Sequence, residues 1–201
     1  MAFSIAADIV VSLSAIVVAT AAYLGVNTWR KEVRGKATFD LARKIITQCH
    51  RLRAELTRAT FLVTWHGEAS GRPRRQDESA EQSEVLDEWY SRDRRVQRVA
   101  EQLPLLEELS WEAEALLDKN AHEAVSEAAR RFRERYASVV TAVSDYFELT
   151  YQEAGGKDIR QHLDFLKGLR KDIYSVDGDN SLAAVDQAIS QVSFALKRYV
   201  R

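Results

Sequence analysis

Residues 3–26 read FSIAADIVVSLSAIVVATAAYLGV, an apolar run of 24 residues with one charge, Asp8. As a helix the run is about 36 Å long, and its uncharged part, residues 9–26, about 27 Å. A bilayer's hydrocarbon core is about 30 Å thick. Nine residues of the uncharged part are Ile, Leu or Val, and together they favour insertion by roughly 3 to 5 kcal/mol. Asp8 opposes this by up to about 3 kcal/mol at the bilayer centre, but it lies near one end and reaches the headgroups. The run predicts a transmembrane helix over residues 1–27 and a tethered domain over residues 28–201. The competing reading, a buried helix of a soluble domain, needs a large core on every side.

Orientation follows from charge. No Lys or Arg precedes the run, whereas Arg30, Lys31, Arg34 and Lys36 follow it, with Arg43 and Lys44 soon after. The positive-inside rule places residues 28–201 in the cytoplasm and the N-terminus outside, on an inner membrane. A secretory signal peptide would carry its positive charge in front. Near an anionic leaflet each cation is worth about 1 kcal/mol, so Arg30, Lys31, Arg34 and Lys36 form the expected membrane-surface patch. Asp8, Ser12, Ala15, Ala19 and Ala22 recur at steps of three and four and share one face. Small residues on one stripe let helices approach closely in lipid. Ser12, Ala15, Ala19 and Ala22 are therefore the expected self-association face, and Asp8 marks the end of the span rather than a relay carboxylate.

All 29 Lys and Arg lie after residue 26, against 29 of the 30 acids, so the tethered part is formally neutral. That balance does not favour a nucleic-acid partner. One cysteine, Cys49, excludes an intramolecular disulfide and fits a reducing compartment. Two prolines and eight glycines in 201 residues, with 29% charged, predict long helices with few breaks.

Thr28 to His66 reads as the first cytosolic helix, with Ala42, Ile45, Cys49, Leu52, Leu56, Ala59 and Val63 as its stripe and Gly35 as its weak point. Residues 67–82 hold Pro73, two glycines and three arginines with no apolar period, and read as an exposed loop. Ser83 with Glu84 is the expected start of a second helix carrying Leu86, Trp89, Val96, Ala100 and Leu103. Asp93 falls on that stripe, and Pro104 is expected to kink or restart the helix. Asn120 with Glu123 is a capping pair for a third helix, which Gly155-Gly156 ends. Residues 157–174 read as a short helix or turn. Asp177-Gly178-Asp179-Asn180 caps a last helix with Leu182, Val185, Ile189, Val192, Leu196 and Tyr199. The expected fold is all-α: an N-terminal transmembrane helix followed by an elongated antiparallel four-helix bundle.

Trp29-Arg30-Lys31-Glu32, then Gly35-Lys36, Phe39-Asp40-Leu41-Ala42-Arg43, and later Trp111-Glu112-Ala113-Glu114-Ala115-Leu116 carry a resemblance. In these the chain resembles a loose group of small bacterial single-pass, membrane-anchored helical proteins. The resemblance implies an architecture and no activity.

Several chemistries can be weighed on spacing. A di-iron bundle needs Glu-x-x-His pairs, and the residues three before His50, His66, His122 and His162 are Thr47, Val63, Lys119 and Ile159. Two Asp-x-x-x-His pairs, Asp118/His122 and Asp158/His162, could each put two metal ligands on one helical face, but both sit near expected helix ends. Cys49 beside His50 is not a nucleophile–base pair, since adjacent helical residues diverge by about 100°. Gly155-Gly156-Lys157 lacks the rest of a phosphate loop. Arg43 and His50 are similar to the Arg-x(4–6)-His signature of helical HEPN ribonucleases, and are the only candidate catalytic pair. That family carries the motif in a late helix, and here it lies in the first. The arginine clusters 72/74/75, 92/94/95/98 and 130/131/133/135 are interleaved with acids and read as solvated or salt-bridged faces.

The sequence thus predicts no cofactor and no named enzyme chemistry. It points to a membrane-anchored interaction or scaffold protein that binds the lipid bilayer and a second copy or another protein. The alternative is a tethered sensor or effector that binds a small ligand or nucleic acid in an arginine-lined polar pocket.

Overall fold

The computed structural model describes residues 2–61, 63–65, 67–173 and 182–200, with side chains from residue 17 onward except that of residue 172. Among the described residues the chain is all helical: α1 (Ala2–Ala59), α2 (Ala80–Leu116), α3 (Lys119–Ala154), a short 3-10 turn (Arg160–His162), α4 (Leu163–Ile173) and α5 (Ala183–Leu196). The chain divides into two compact units, Met1–Asp40 and Leu41–Arg201.

In the first unit every residue from 17 to 36 is exposed on α1. Gly25 and Gly35 lie inside the helix, and a Cβ at either would meet nothing within 4 Å. The expected span, residues 3–26, falls mostly on residues whose side chains lie outside the described ones. Among the described residues, no helix is long and apolar enough to cross a membrane.

The second unit is a helical bundle. Leu41, Ala42, Ile45, Cys49, Leu52, Leu56 and Ala59 of α1 are all buried, as their three- and four-residue spacing demands. They join Val96, Val99, Leu103, Leu106 and Ala113 of α2, Val125, Ala128, Phe132, Val139 and Val143 of α3, and Val185, Ile189, Val192 and Leu196 of α5 in one core. Burial pushes the Cys49 thiol up to about 12, so it stays protonated and inert. Phe132 is the largest of the fully buried side chains.

Polar pairs report the directions of the helices. Gln48 Nε2 donates to the Gln102 carbonyl at 2.9 Å, and Arg95 reaches the Arg58 carbonyl at 3.4 Å, so α1 and α2 run antiparallel. Leu117 and Asp118 alone separate α2 from α3. Ser110 pairs with Ser126 at 2.9 Å, Glu107 with Arg133, and the rings of Trp89 and Phe147 stack at 4.5 Å, so this hairpin is antiparallel too. α5 returns along α3: the Tyr199 hydroxyl donates to Asp118 Oδ2 at 2.7 Å. α4 lies against α3 through Leu169 and Ile173, both in the core.

The element ends depart from expectation. α1 stops at Ala59 rather than continuing to His66; the Thr60 hydroxyl caps the Leu56 carbonyl at 3.0 Å, and Val63 is half exposed. His66 is outside the described residues. α2 starts at Ala80, not at Ser83: Ser79 accepts from the Gln82 N–H at 3.1 Å while Gln82 Oε1 accepts from the Ser79 N–H, a complete capping box. The α1–α2 connection is therefore residues 60–79 instead of 67–82. α3 is capped by Asp118, which accepts from the Ala121 N–H at 3.0 Å, so Asn120 is already inside the helix. Gly155-Gly156 ends α3 as expected, with Gly156 at φ +84°, a conformation that favours glycine. Pro104 does not restart α2, which runs through it to Leu116. Leu103 and Leu106 on either side of it are buried, and that packing outweighs the lost backbone hydrogen bond. The expected capping turn at residues 177–180 lies outside the described residues.

Candidate functional site

The residues singled out from sequence are dispersed. Arg30, Lys31, Arg34 and Lys36 are exposed on α1, and so are Ala19 and Ala22. The side chains of Ser12 and Ala15 lie outside the described residues. Arg43 and His50 are both exposed on α1, about 10.5 Å apart along its axis at seven residues' separation. Arg43 lines a groove of about 370 Å³ between α1 and α2, facing Glu108 and Glu112, and His50 is not among its lining residues.

Asp118 and His122 are both engaged in structure. The Asp118 carboxylate takes the Ala121 N–H, the Tyr199 hydroxyl and the Arg198 guanidinium, while His122 Nδ1 lies 3.3 Å from the Ser110 carbonyl. Asp158 caps the turn that holds His162, accepting from the Arg160 N–H at 3.0 Å and pairing with its guanidinium at 2.6 Å. Those bonds hold its carboxyl below the usual range. Among the described residues, no group of three or more His, Cys, Asp or Glu could hold a metal ion.

The arginine clusters divide. Arg130 and Arg131 pair with Glu127 and Glu134, and Arg133 with Glu107, on exposed faces as expected. Such pairs contribute at most about 1 kcal/mol each. Arg92 and Arg95 are instead buried. The inward face of α2 is Val96, Val99, Leu103, Leu106 and Ala113, and stepping it back by three and four lands on Arg95 and Arg92. That phase was the available signal. Asp93, which the expected stripe placed inward, is only half buried and takes a hydrogen bond from Gln97 at 2.6 Å.

Arg95 is spent on the α1–α2 connection. Its guanidinium donates to the carbonyls of Arg58 (3.4 Å), Phe61 (3.3 Å) and Val63 (3.0 Å), and pairs with Glu68 at 2.5 Å. A cation on the Arg58 carbonyl, in the last turn of α1, also complements that helix's dipole. Arg72 does the same at the far end of the connection. It forks onto Glu78 with two 2.9 Å bonds and onto Asp87 at 2.6 Å, and both the Arg72 and Glu78 side chains are only 6% exposed. Bidentate arginine–carboxylate geometry is the strong form of this bond. The segment read from sequence as an exposed loop is thus held to α2 by two buried guanidinium groups.

Glu78 is pushed down to about 2, first by Arg72 and then by the Arg75 N–H. A carboxyl lowered in the folded state adds stability above its unfolded value of about 4.5. That contribution should be lost as pH falls from about 4.5 to 2. An acid titration of Arg72→Met should show a flatter stability profile across that window than the parent; identical profiles would refute the assignment.

Beside the Arg95–Glu68 clamp opens a groove of about 340 Å³. Thr57 and Arg58 at the end of α1, Phe61, Trp65 and Glu68 of the connection, and Arg95 and Arg98 of α2 line it. Trp65 is 66% exposed and Phe61 49%. Arg58 is tied to Glu55 one turn back at 2.5 Å, with its own side chain 63% exposed. Among the described residues Arg98 has no ion pair, and it is exposed. The groove therefore offers two aromatic faces and cations at its rim.

No family model, curated protein or solved structure matches the chain.

Proposed function

We propose that the chain is a single-pass, membrane-anchored interaction protein with its N-terminus outside and its helical bundle in the cytoplasm of a bacterial cell. One observation carries the reading. Val17, Val18, Tyr23, Leu24, Val26 and Trp29 are all exposed on α1. At about 100° per residue these positions point to every side of the helix. A helix that is apolar all round and uncovered by protein has lipid as its natural solvent. The exposed cations Arg30, Lys31, Arg34 and Lys36 come next along the same helix, where they fit an anionic leaflet. Ser12, Ala15, Ala19 and Ala22 would bring two anchors together, so the scaffold acts as a homo-oligomer.

The test is fractionation of the full-length chain. It should stay in the membrane pellet through alkaline carbonate washing, and a fluorescent protein fused after Arg201 should fold and fluoresce. Release of the chain into the supernatant, or a dark fusion beside an active periplasmic reporter, would overturn the anchor or its orientation. Ala15→Leu with Ala19→Leu should convert crosslinked dimers to monomers in the membrane.

A second reading, a tethered sensor or effector that binds a small ligand, is favoured by the arginine- and aromatic-lined groove beside the 60–79 connection. The Arg43/His50 nuclease has no comparable observation behind it.

A further inference from the structure

The groove between the Arg95 clamp and Trp65 has features that the bundle does not need for folding. A large aromatic side chain left 66% exposed gains little from burial, and an exposed Arg98 without an ion pair adds no internal bond. Together with Phe61 they surround about 340 Å³, within the range of small-molecule sites.

The composition limits the ligand. Arg95 and Glu68 neutralise each other at 2.5 Å, and Arg95 is further committed to three backbone carbonyls. They form the fixed floor. The charge open to a ligand is on Arg98 and on Arg58, whose side chain is 63% exposed and whose guanidinium keeps further donors beside its one bond to Glu55. A purely apolar ligand would leave these cations at its edge unused. A bare inorganic anion would leave two aromatic faces unused. A planar heterocycle carrying a phosphate uses both, by stacking on Trp65 or Phe61 and by charge-assisted hydrogen bonds to guanidinium groups.

We propose that Phe61, Trp65, Arg58 and Arg98 form a binding site for the base and phosphate of a nucleotide. This deepens the sensor reading and is independent of the anchor, since it concerns the bundle alone. The size of the groove fits a single nucleotide, so the ligand is a free mononucleotide rather than a strand.

Full-length protein in detergent micelles would be titrated calorimetrically with AMP, GMP, CMP and UMP in turn, then with the matching nucleoside, with inorganic phosphate and with a hexanucleotide. At least one mononucleotide should saturate the protein, with nucleoside and phosphate each at least tenfold weaker. Trp65→Ala and Arg98→Gln should each weaken that nucleotide at least tenfold. Trp111→Ala, at another exposed tryptophan, should leave it unchanged. Both site variants replace exposed side chains, and unchanged circular dichroism would confirm that they fold. The proposal is overturned if no mononucleotide saturates at millimolar concentration, if only the hexanucleotide binds, or if either site variant binds like the parent. Because micelles replace the membrane, failure here leaves the anchor reading intact, and failed fractionation leaves this one intact.

Discussion

Replacing Arg95 with methionine should cost about 3 kcal/mol, the low end for breaking a buried ion pair, because the Glu68 left behind is partly exposed. The loss has two parts. The α1 terminus and the connection lose the donor shared by three carbonyls, and Glu68 loses its counter-ion. Urea unfolding of the purified protein measures the first consequence. A second is local: the connection should open ahead of the bundle, so trypsin should cut at the exposed Arg74 and Arg75 faster than in the parent. Arg98→Gln, one turn along the same helix but exposed, should stay within about 0.5 kcal/mol. A midpoint for Arg95→Met as close to the parent as that of Arg98→Gln would show that the connection holds itself.

Phe132→Ala should be the most damaging single change in the core, at about 3 to 5 kcal/mol. Phe132 is fully buried on α3, the helix that packs against α2, α4 and α5, so the cavity has walls on several sides and cannot collapse cheaply. For a unit of this size the midpoint of thermal unfolding should fall by about 6 to 20 °C. Phe132→Leu, which keeps most of the volume, should cost less than about 1.5 kcal/mol. If alanine and leucine behaved alike, the site would be more plastic than its burial implies.

The helices were legible because their cause is local. Six positions from Ala42 to Ala59, and five from Leu182 to Leu196, repeat at three and four, and all are buried, whereas Val63, the seventh of the first stripe, lies past the end of α1 and is exposed. Only burying one face of a helix imposes that repeat. The terminating glycines of α3 were legible for the same reason, since Gly156 needs its positive φ whatever packs nearby. The starts were less so. Ser79 and Ser83 are equally good caps by type, as are Asp118 and Asn120. The choice between them depends on where the connecting chain leaves its neighbour. For α2 that is set by Arg72 drawing residues 78–87 together, and for α3 by Tyr199 and Arg198 closing on Asp118.

The candidate site was the least legible part. Arg58, Phe61, Trp65 and Arg98 lie in a stretch of ordinary loop and helix residues with no motif spacing. They meet only because Arg95 reaches back 27 residues to Glu68 and 37 to the Arg58 carbonyl.

From its sequence alone this chain is an all-α protein with an apolar opening helix, an inert core cysteine and amphipathic stripes whose phase assigns the core. Tertiary structure alone decided which distant groups meet the inward-turned Arg95, that residues 60–79 are clamped rather than loose, and that an aromatic, cationic groove opens beside them. A stripe is a property of consecutive residues. A guanidinium group is tolerated inside only where a carboxylate and carbonyls from distant parts of the chain arrive to pair with it, and no local pattern records that arrival.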